Sequence, residues 1–414
     1  MSNADLTQAG KVVDRTDLVA VSPWNSSGIE DSPIFDRFPK IADCTLRDGE
    51  QQPGVVFRRA EKVLIARLLD EIGVDDIEAG TPAVSSEDRE AIAEIAAMGL
   101  NAQVTALARN TKDDVDLVAS CGATGVRLSF PISDRQREAK LGISEDEYVR
   151  RALDVAEYAK GRGLLVIFSP FDTTRCNPHL LESLLRRFAE ERTVDRVRLV
   201  DTVGGATPQS IQYLVRLMSE SGEGIAIEAH CHDDFGLATA NTLAAAIAGA
   251  EYLSVTVNGL GERAGNTPLE EVAAALALLW GAGSAINLEG LTRLSSEVSR
   301  LSGVRSSPHK AVVGENAFRH ETGMVVAGVL KDPFTAEPYA PELVGQRRTI
   351  VVGKKSGRAS VEHKLAELDL SVAADRIDDV VQAVKDLSLE RKRALTDREV
   401  SGIARTAGGR HARG

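Results

Sequence analysis

Two spacings of apolar residues alternate along most of the chain. Short runs, each ending in polar residues, recur as "KIADCTLRD" (40–48), "DDIEAGTP" (75–82), "AQVTALAR" (102–109), "GVRLSFP" (125–131), "LLVIFSPFD" (164–172), "RVRLVDTVG" (196–204), "IAIEAHCHDD" (225–234) and "YLSVTVNGLGER" (252–263). Their length and β-branched content predict strands. Between them, apolar residues return every three to four positions. In "RRAEKVLIARLLDEIG" (58–73), Val63, Leu64, Ala66, Leu68 and Leu69 mark a helix. "EDEYVRRALDVAEYAKGRG" (145–163) reads as a helix closed by a basic turn and Gly163. In "TPQSIQYLVRLMSESG" (207–222), Thr207 takes the N-cap and Pro208 the first helical position.

Strands that alternate with helices pair in parallel, because a helical crossover returns the chain to the same end of the sheet. Eight such units predict the α/β class and a (β/α)8 TIM barrel. An open doubly wound sheet is disfavoured, since no G-x-G-x-x-G follows the first strand. The barrel is expected over residues 38–285. Residues 1–37 lack periodicity and are read as a flexible, surface-draped arm. A small α+β linker subdomain is expected over 286–360 and a short helical C-terminal region over 361–414. In a barrel, all the polar strand tips surround one mouth.

Composition narrows the function classes. The 414 residues carry a net charge of −12 with no basic run, which excludes nucleic acid and anionic membrane as natural partners. No apolar run approaches the length of a membrane helix, and the N-terminus has no signal-peptide pattern. Four cysteines without a C-x-x-C pair indicate a reducing, cytoplasmic setting.

The candidate chemistry lies at the strand tips. His230 and His232, at i and i+2, point to one face of the seventh strand, and two imidazoles side by side suit a divalent metal. The alternative is a chance pair of half-buried histidines. Asp48, at the tip of the first strand, is the expected carboxylate ligand, with Asp43 and Glu50 as further candidates. Arg47 beside it suits an anionic or enolising oxygen; a plain R-D-G surface turn is the other reading. Asn266 lies within reach of a metal or its water, and Glu262 with Arg263 suggests an ion pair. Thr202 and Arg175 end the sixth and fifth strands and suit a substrate carboxylate. Structural hydrogen bonding is equally open for either. Glu228 shares the histidines' face one step deeper.

Four motifs together carry a resemblance. "DCTLRDGEQQPGVVF", "RLVDTVGGATP", "EAHCHDDFGLATANTLAAAIAGA" and "TVNGLGERAGNTPLEEV" look like the DRE-TIM metallolyases. Within that superfamily they resemble the Claisen-condensing homocitrate, 2-isopropylmalate and citramalate synthases, most nearly the nitrogen-fixation type of homocitrate synthase. The resemblance implies an acyltransferase joining acetyl-CoA to a 2-oxo acid, with release of CoA. It implies a divalent metal (Mn2+, Mg2+, Co2+ or Zn2+) bound by Asp48, His230 and His232, with Asn266 near it. Arg47 and Glu228 join the catalytic set, and Arg47, Gln51, Arg175 and Thr202 hold the oxo acid. His320, in "FRHETGMVVAGVLKDP", is expected to assist proton transfer in a neighbouring subunit, which implies a domain-swapped homodimer.

Three positions depart from the family pattern: Phe171 replaces an acid, Val325 a histidine and Lys355 a histidine. They leave the acceptor open. Oxaloacetate, as in Re-type citrate synthase, phosphino- or phosphonopyruvate-like acids, and the isopropylmalate and citramalate acceptors remain alternatives. A carbon–carbon lyase or aldolase of the same superfamily is the further one.

Overall fold

A computed structural model describes residues 16–281 and 286–408. Eight parallel strands close a barrel in chain order: β1 (Lys40–Asp43), β2 (Asp76–Glu78), β3 (Gln103–Arg109), β4 (Gly125–Ser129), β5 (Leu165–Ser169), β6 (Arg196–Asp201), β7 (Ala226–Cys231) and β8 (Tyr252–Val255). Closure is made by β1 on β8, with Asp43 opposite Val255. The (β/α)8 expectation is met, with strands shorter than the apolar runs. After Asp43 the chain turns, because the N–H groups of Arg47, Asp48 and Gly49 all fold back onto Cys44 O at 3.1, 2.9 and 3.1 Å.

The helices of the barrel unit are α1 (Arg59–Ile72), α2 (Ser86–Ala96), α3 (Lys112–Ser120), α4 (Asp134–Lys140), α5 (Glu145–Gly161), α6 (Pro178–Glu191), α7 (Pro208–Ser221), α8 (Ala238–Ile247), α9 (Leu269–Trp280) and α10 (Leu291–Ser302). Ser85, Thr111, Ser133, Ser144 and Thr207 cap α2, α3, α4, α5 and α7 through their side-chain oxygens. Thr207 and Pro208 take the expected cap and first helical positions. Gly163 closes the α5 end in a left-handed conformation.

The described chain forms two compact units. One is residues 23–306; the other is residues 307 onward together with the segment before 23. The domain boundary expected at 285 therefore shifts. α10, expected in the linker subdomain, belongs with the barrel, where it buries Leu291, Leu294 and Val298. The turn before it is tied by Asn287 N–H to Ile72 O at 2.7 Å. The arm is also less free than expected from 23 to 37. Ile34 is buried, Ser32 Oγ donates to Ile247 O at 2.7 Å, and Trp280 Nε1 donates to Asn25 O at 3.0 Å. The rest of the expected arm, residues 1–15, lies outside the described residues.

In the second unit, β9 (Arg319–His320) and β10 (Thr349–Ile350) pair in parallel. They accompany α11 (Gly323–Val329), α12 (Arg358–Glu367), α13 (Ile377–Arg391) and α14 (Asp397–Gly408). Val352, Val361, Leu365, Val380, Val384 and Val400 form its core. The linker subdomain and the helical region are thus one body and not two, because these helices bury their apolar stripes against one another.

The interior of the barrel is ionic where aliphatic packing is usual. Arg127 on β4 and Arg196 and Arg198 on β6 point inward and are fully enclosed. Arg127 Nη1 donates to both Glu228 oxygens at 2.8 and 2.9 Å, and its Nη2 lies 2.9 Å from Asp76. Arg196 Nη1 bridges Asp76 and Glu228 at 2.9 Å each. Arg198 spans Glu228 at 2.7 Å and Glu78 at 2.9 Å. Charges this deep persist only when every one has partners.

Candidate active site

The turn after β1 and the end of β7 bring the sequence-predicted residues together. Asp48 Oδ2 lies 3.1 Å from His230 Nε2 and 3.9 Å from His232 Nε2. The two imidazole rings stand nearly perpendicular, with centroids 5.1 Å apart. His232 sits one residue beyond β7 and is held by a bridge to Asn266 in the β8–α9 loop. Asn266 Nδ2 donates to Leu260 O at 3.0 Å. Two glycines permit this loop. A Cβ on Gly261 would lie 2.1 Å from Asn266 Nδ2, and one on Gly265, at φ +95°, would lie 2.0 Å from Gly259 O.

Burial works to raise the Asp48 pKa. The Arg47 guanidinium and the His230 hydrogen bond outweigh it and hold the carboxyl well below the usual range. Burial lowers both histidines. His232 is pushed down to about 4, with the nearby His230 adding to the effect. The cluster is therefore one carboxylate and two neutral imidazoles. Asp48 Oδ1, His232 Nδ1 and Asn266 Oδ1 are all buried without a hydrogen-bond partner. Each such atom costs about 1–3 kcal/mol. A carboxylate oxygen, an amide oxygen and imidazole nitrogens form the donor set of a divalent cation, so these residues fit the implied metal. Cys44 Sγ also lies within 4.8 Å of donor atoms of Asp48 and His230, a neighbour that the sequence did not suggest.

Glu78 at the tip of β2 is a second residue missed. It is fully buried, accepts from Arg47 Nε at 2.6 Å and Nη2 at 3.3 Å, and holds Arg198 on its other side. Burial raises its pKa, but Arg47, Arg198 and Arg127 bring it down to about 2. Arg47 also lies 3.0 Å from Asp48 and donates to Gln51 Oε1 at 3.1 Å. Its guanidinium is thus held on three sides beside the metal-type cluster. The only signal in the sequence was an acid at a strand end, in "DDIEAGTP".

Thr202 and Arg175 form a neighbouring group centred on Asp172. Asp172 N–H donates to Thr202 Oγ1 at 2.7 Å, and Arg175 donates to both Asp172 oxygens at 2.7 and 2.8 Å. Asp172 is fully buried in a left-handed conformation at φ 68°. Arg263 ties this group to the histidine loop. It pairs with Asp234 at 2.8 and 3.0 Å and donates to Thr202 O at 2.6 Å. Its expected partner, Glu262, is more distant at 3.5 Å. Phe171 carries the Lys140 ammonium over its ring at 4.7 Å.

Other expected residues lie elsewhere. Glu228 is not in the cluster. It sits below His230, clamped by Arg127, Arg196 and Arg198, and burial notwithstanding these cations hold it far below the usual carboxylate range. Both its oxygens are engaged by arginines, which leaves it apart from the cluster it was expected to join. Asp43 accepts from Thr45 N and Oγ1, and Glu50 caps the Phe57 N–H and pairs with Lys62. His320 lies on β9 in the second unit, with Nε2 2.9 Å from Glu337, whose carboxylate also takes Arg348. Val325 is exposed on α11, and Lys355 pairs with Glu321 at 3.4 Å.

Comparison with known proteins adds lineage to this geometry. Residues 38–298 match the HMGL-like family model, and residues 312–392 match a model described as homocitrate synthase post-HMGL domain-like. Homocitrate synthase AksA of Methanopyrus kandleri is 47% identical over 384 residues, covering 93% of this chain and 96% of its own. A probable 2-isopropylmalate synthase of Ignicoccus hospitalis is 43% identical, with coverages of 87% and 91%. The (R)-citramalate synthase CimA of Methanocaldococcus jannaschii is 42% identical, with coverages of 90% and 75%. Among solved structures, hydroxymethylglutaryl-CoA lyase from Pseudomonas aeruginosa shares the fold at TM-score 0.57 and 21% identity. That match covers 65% of this chain and 94% of the other.

Proposed function

The chain belongs to the HMGL-like family, and from that premise we propose that it is an acyl-CoA:2-oxo acid C-acyltransferase that condenses acetyl-CoA with a 2-oxo acid and releases CoA. The observation that carries this reading is the buried cluster of Asp48, His230, His232 and Asn266 beside Arg47, in which Asp48, His232 and Asn266 each keep one buried polar atom without a partner. A divalent metal held there by Asp48, His230 and His232, with Asn266 beside it, would polarise the keto group of the acceptor as a Lewis acid. Mn2+, Mg2+, Co2+ and Zn2+ all suit the donor set.

The chain's own residues do the rest. Arg47, held flat by Glu78 and Gln51, keeps its charge at the mouth and stabilises the oxygen that becomes negative as the new carbon–carbon bond forms. Gln51 contacts the bound acid from the rim. Thr202 and Arg175, aligned on Asp172, hold the acid's other end. His320 carries a proton in the reaction, oriented through Nε2 by Glu337. It serves the barrel of a second copy of this chain in a homodimer. Met324, Val325 and Leu330, exposed beside it, are apolar in the way a buried partner surface requires. A cytoplasmic location fits four unpaired thiols. Among the described residues no helix is long and apolar enough to cross a membrane.

We take 2-oxoglutarate first among acceptors, a choice that the similarity to a homocitrate synthase supports. CoA release is to be followed with acetyl-CoA and a panel of 2-oxoglutarate, oxaloacetate, 2-oxoisovalerate, pyruvate and phosphonopyruvate. Turnover fastest with 2-oxoglutarate supports the full reading. Preference for another member changes the substrate alone, and no CoA release with any member overturns the reaction. Mixing inactive His320→Ala with inactive Asp48→Asn protein restores activity if the subunits exchange His320.

A further inference from the structure

Behind His230, starting from its Nδ1, lies a row of buried groups to which the condensation assigns no role. His230 Nδ1 is 2.9 Å from Ser254 Oγ. Ser254 Oγ is 3.5 Å from Cys44 Sγ, and Cys44 Sγ is 3.3 Å from Val255 O. Ser254 and Cys44 are each 1% exposed, so water does not compete for these contacts. Barrel register builds the row. Ser254 on β8 pairs with His230 on β7 and with Ala42 on β1, and Cys44 follows two residues later.

A hydroxyl and a thiol each have one hydrogen to give and lone pairs to accept with, so the row has two self-consistent polarities. In the first, Cys44 donates to Ser254, Ser254 donates to His230 Nδ1, and His230 Nε2–H donates to Asp48 Oδ2 at 3.1 Å. In the second, the arrows within the row from His230 Nδ1 to Cys44 reverse. His230 Nδ1–H donates to Ser254, Ser254 donates to Cys44, and Cys44 donates to Val255 O. That carbonyl already accepts Cys44 N–H at 2.8 Å and has a second lone pair to end the row. The second polarity leaves Nε2 with a bare lone pair facing Asp48.

We propose that Ser254 and Cys44 are positioning residues that form a reversible relay. It holds the first polarity in the metal-free protein and the second when a divalent cation takes His230 Nε2. On switching, the N–H bond at Nε2 breaks and its proton passes to water at the mouth, while an N–H bond forms at Nδ1 with a proton that water delivers during a transient opening of the His230–Ser254 contact. The ring is neutral before and after. The hydroxyl and thiol hydrogens then rotate, and the two end states share the same heavy-atom positions. Neither state leaves a ring nitrogen unpaired in a site where that costs about 1–3 kcal/mol. Cys44 is thereby a relay thiol and not a thiolate ligand, despite its place within 4.8 Å of Asp48 and His230. The proposal rests on the reading of His230 as a metal ligand.

The test uses the full-length protein with ring-15N-labelled histidine and Zn2+ as the probe. Nitrogen NMR should find the His230 proton on Nε2 without Zn2+ and on Nδ1 with it; the same tautomer in both states overturns the relay. Zn2+ titration should show affinity about 10-fold or more lower for Ser254→Ala, with recovery in Ser254→Thr, which keeps the hydroxyl. Wild-type affinity in Ser254→Ala also overturns it. Should the Ser254 variants fail to fold, the Cys44 pair decides: Cys44→Ser should bind Zn2+ like wild type and Cys44→Ala more weakly. Equal affinities in those two refute the relay. With Co2+ in place of Zn2+, a thiolate charge-transfer band that disappears in Cys44→Ser would make Cys44 a ligand and overturn the assignment. Equal Zn2+ binding by wild type and Asp48→Asn would instead refute the underlying metal site.

Discussion

Replacing Glu78 with glutamine isolates the support of Arg47 without touching any proposed ligand. The native carboxylate is 0% exposed and takes Arg47 through Nε at 2.6 Å and Nη2 at 3.3 Å and Arg198 through Nη2 at 2.9 Å. An amide offers one oxygen, and its NH2 group then faces a guanidinium N–H with nothing to accept. Arg198 keeps Glu228 at 2.7 Å, so the loss falls on Arg47, left with Asp48 at 3.0 Å and Gln51 at 3.1 Å. Removing one partner of a buried pair destabilises by about 3–5 kcal/mol, and the retained Glu228 contact argues for about 3. Arg47 cannot shed its charge. Burial acts to lower its pKa, but the Glu78 and Asp48 carboxylates raise it above the ordinary value, and Asp48 remains in Glu78→Gln. Its guanidinium should therefore swing toward Asp48, and a displacement of about 1 Å at a reacting centre costs about 100-fold in rate. Urea denaturation should give the stability loss, steady-state CoA release the fall in kcat, and elemental analysis an unchanged metal content. A kcat within about 3-fold of wild type, alongside the expected destabilisation, would show that Glu78 only holds the barrel together and would refute the argument.

Three further outcomes follow from the same geometry. Asp48→Asn should lower metal content to about a tenth of wild type or less and bring CoA release to background, because it removes the charge that Arg47 and both histidines surround; unchanged metal content would place the metal elsewhere. Gly261→Ala, whose Cβ would stand 2.1 Å from Asn266 Nδ2, should cost about 1–3 kcal/mol in urea denaturation and weaken Zn2+ binding. Equal binding would show that Asn266 takes no part. In metal-free protein, His232 is lowered by burial to about 4 while the unfolded chain keeps about 6.5, so the unfolded state gains its proton first as pH falls. Stability should then drop as pH falls from about 6.5 toward 4. Asp43, raised by burial to about 7, works in the opposite sense over an overlapping window. The reading is therefore the difference between wild type and His232→Gln, which should change with pH by up to about 1.4 kcal/mol per unit, the variant losing less stability than wild type as pH falls; parallel curves would refute it.

The barrel was legible because its signal is repeated eight times. Each strand run ends in polar residues, and a parallel sheet with all its tips at one end is the simplest body that gathers them. The division of the chain was less legible, since an apolar helix stripe states that a helix packs but not on what. Leu291, Leu294 and Val298 suit either body equally, and only the tertiary structure assigns α10 to the barrel unit. The arm was misjudged for a related reason. Ile34 and Ser32 sit in a stretch without periodicity, and their anchoring depends on Ile247, more than two hundred residues away.

At the site, alternation along a strand gives the face of a side chain but not its depth, and depth decides which residues the structure brings into the cluster. His230 and Glu228 share a face of β7 and differ by two residues, about 6–7 Å along the strand. The upper one borders open donors; the lower one lies in a layer where Arg127, Arg196 and Arg198 consume both its oxygens. Those arginines stand at alternate positions in "GVRLSFP" and "RVRLVDTVG", a pattern that in an open sheet marks a solvent face. Inside a closed barrel no such face exists, so inward arginines demand buried acids, and Asp76, Glu78 and Glu228 are the acids available. The same reasoning locates Glu78. A strand-tip acid on the ring above that layer reaches Arg198 below with one oxygen and Arg47 at the mouth with both, which is how Arg47 comes to be held beside Asp48. The Cys44–Ser254 row was beyond reach of any local pattern, because it depends on the register among β1, β8 and β7.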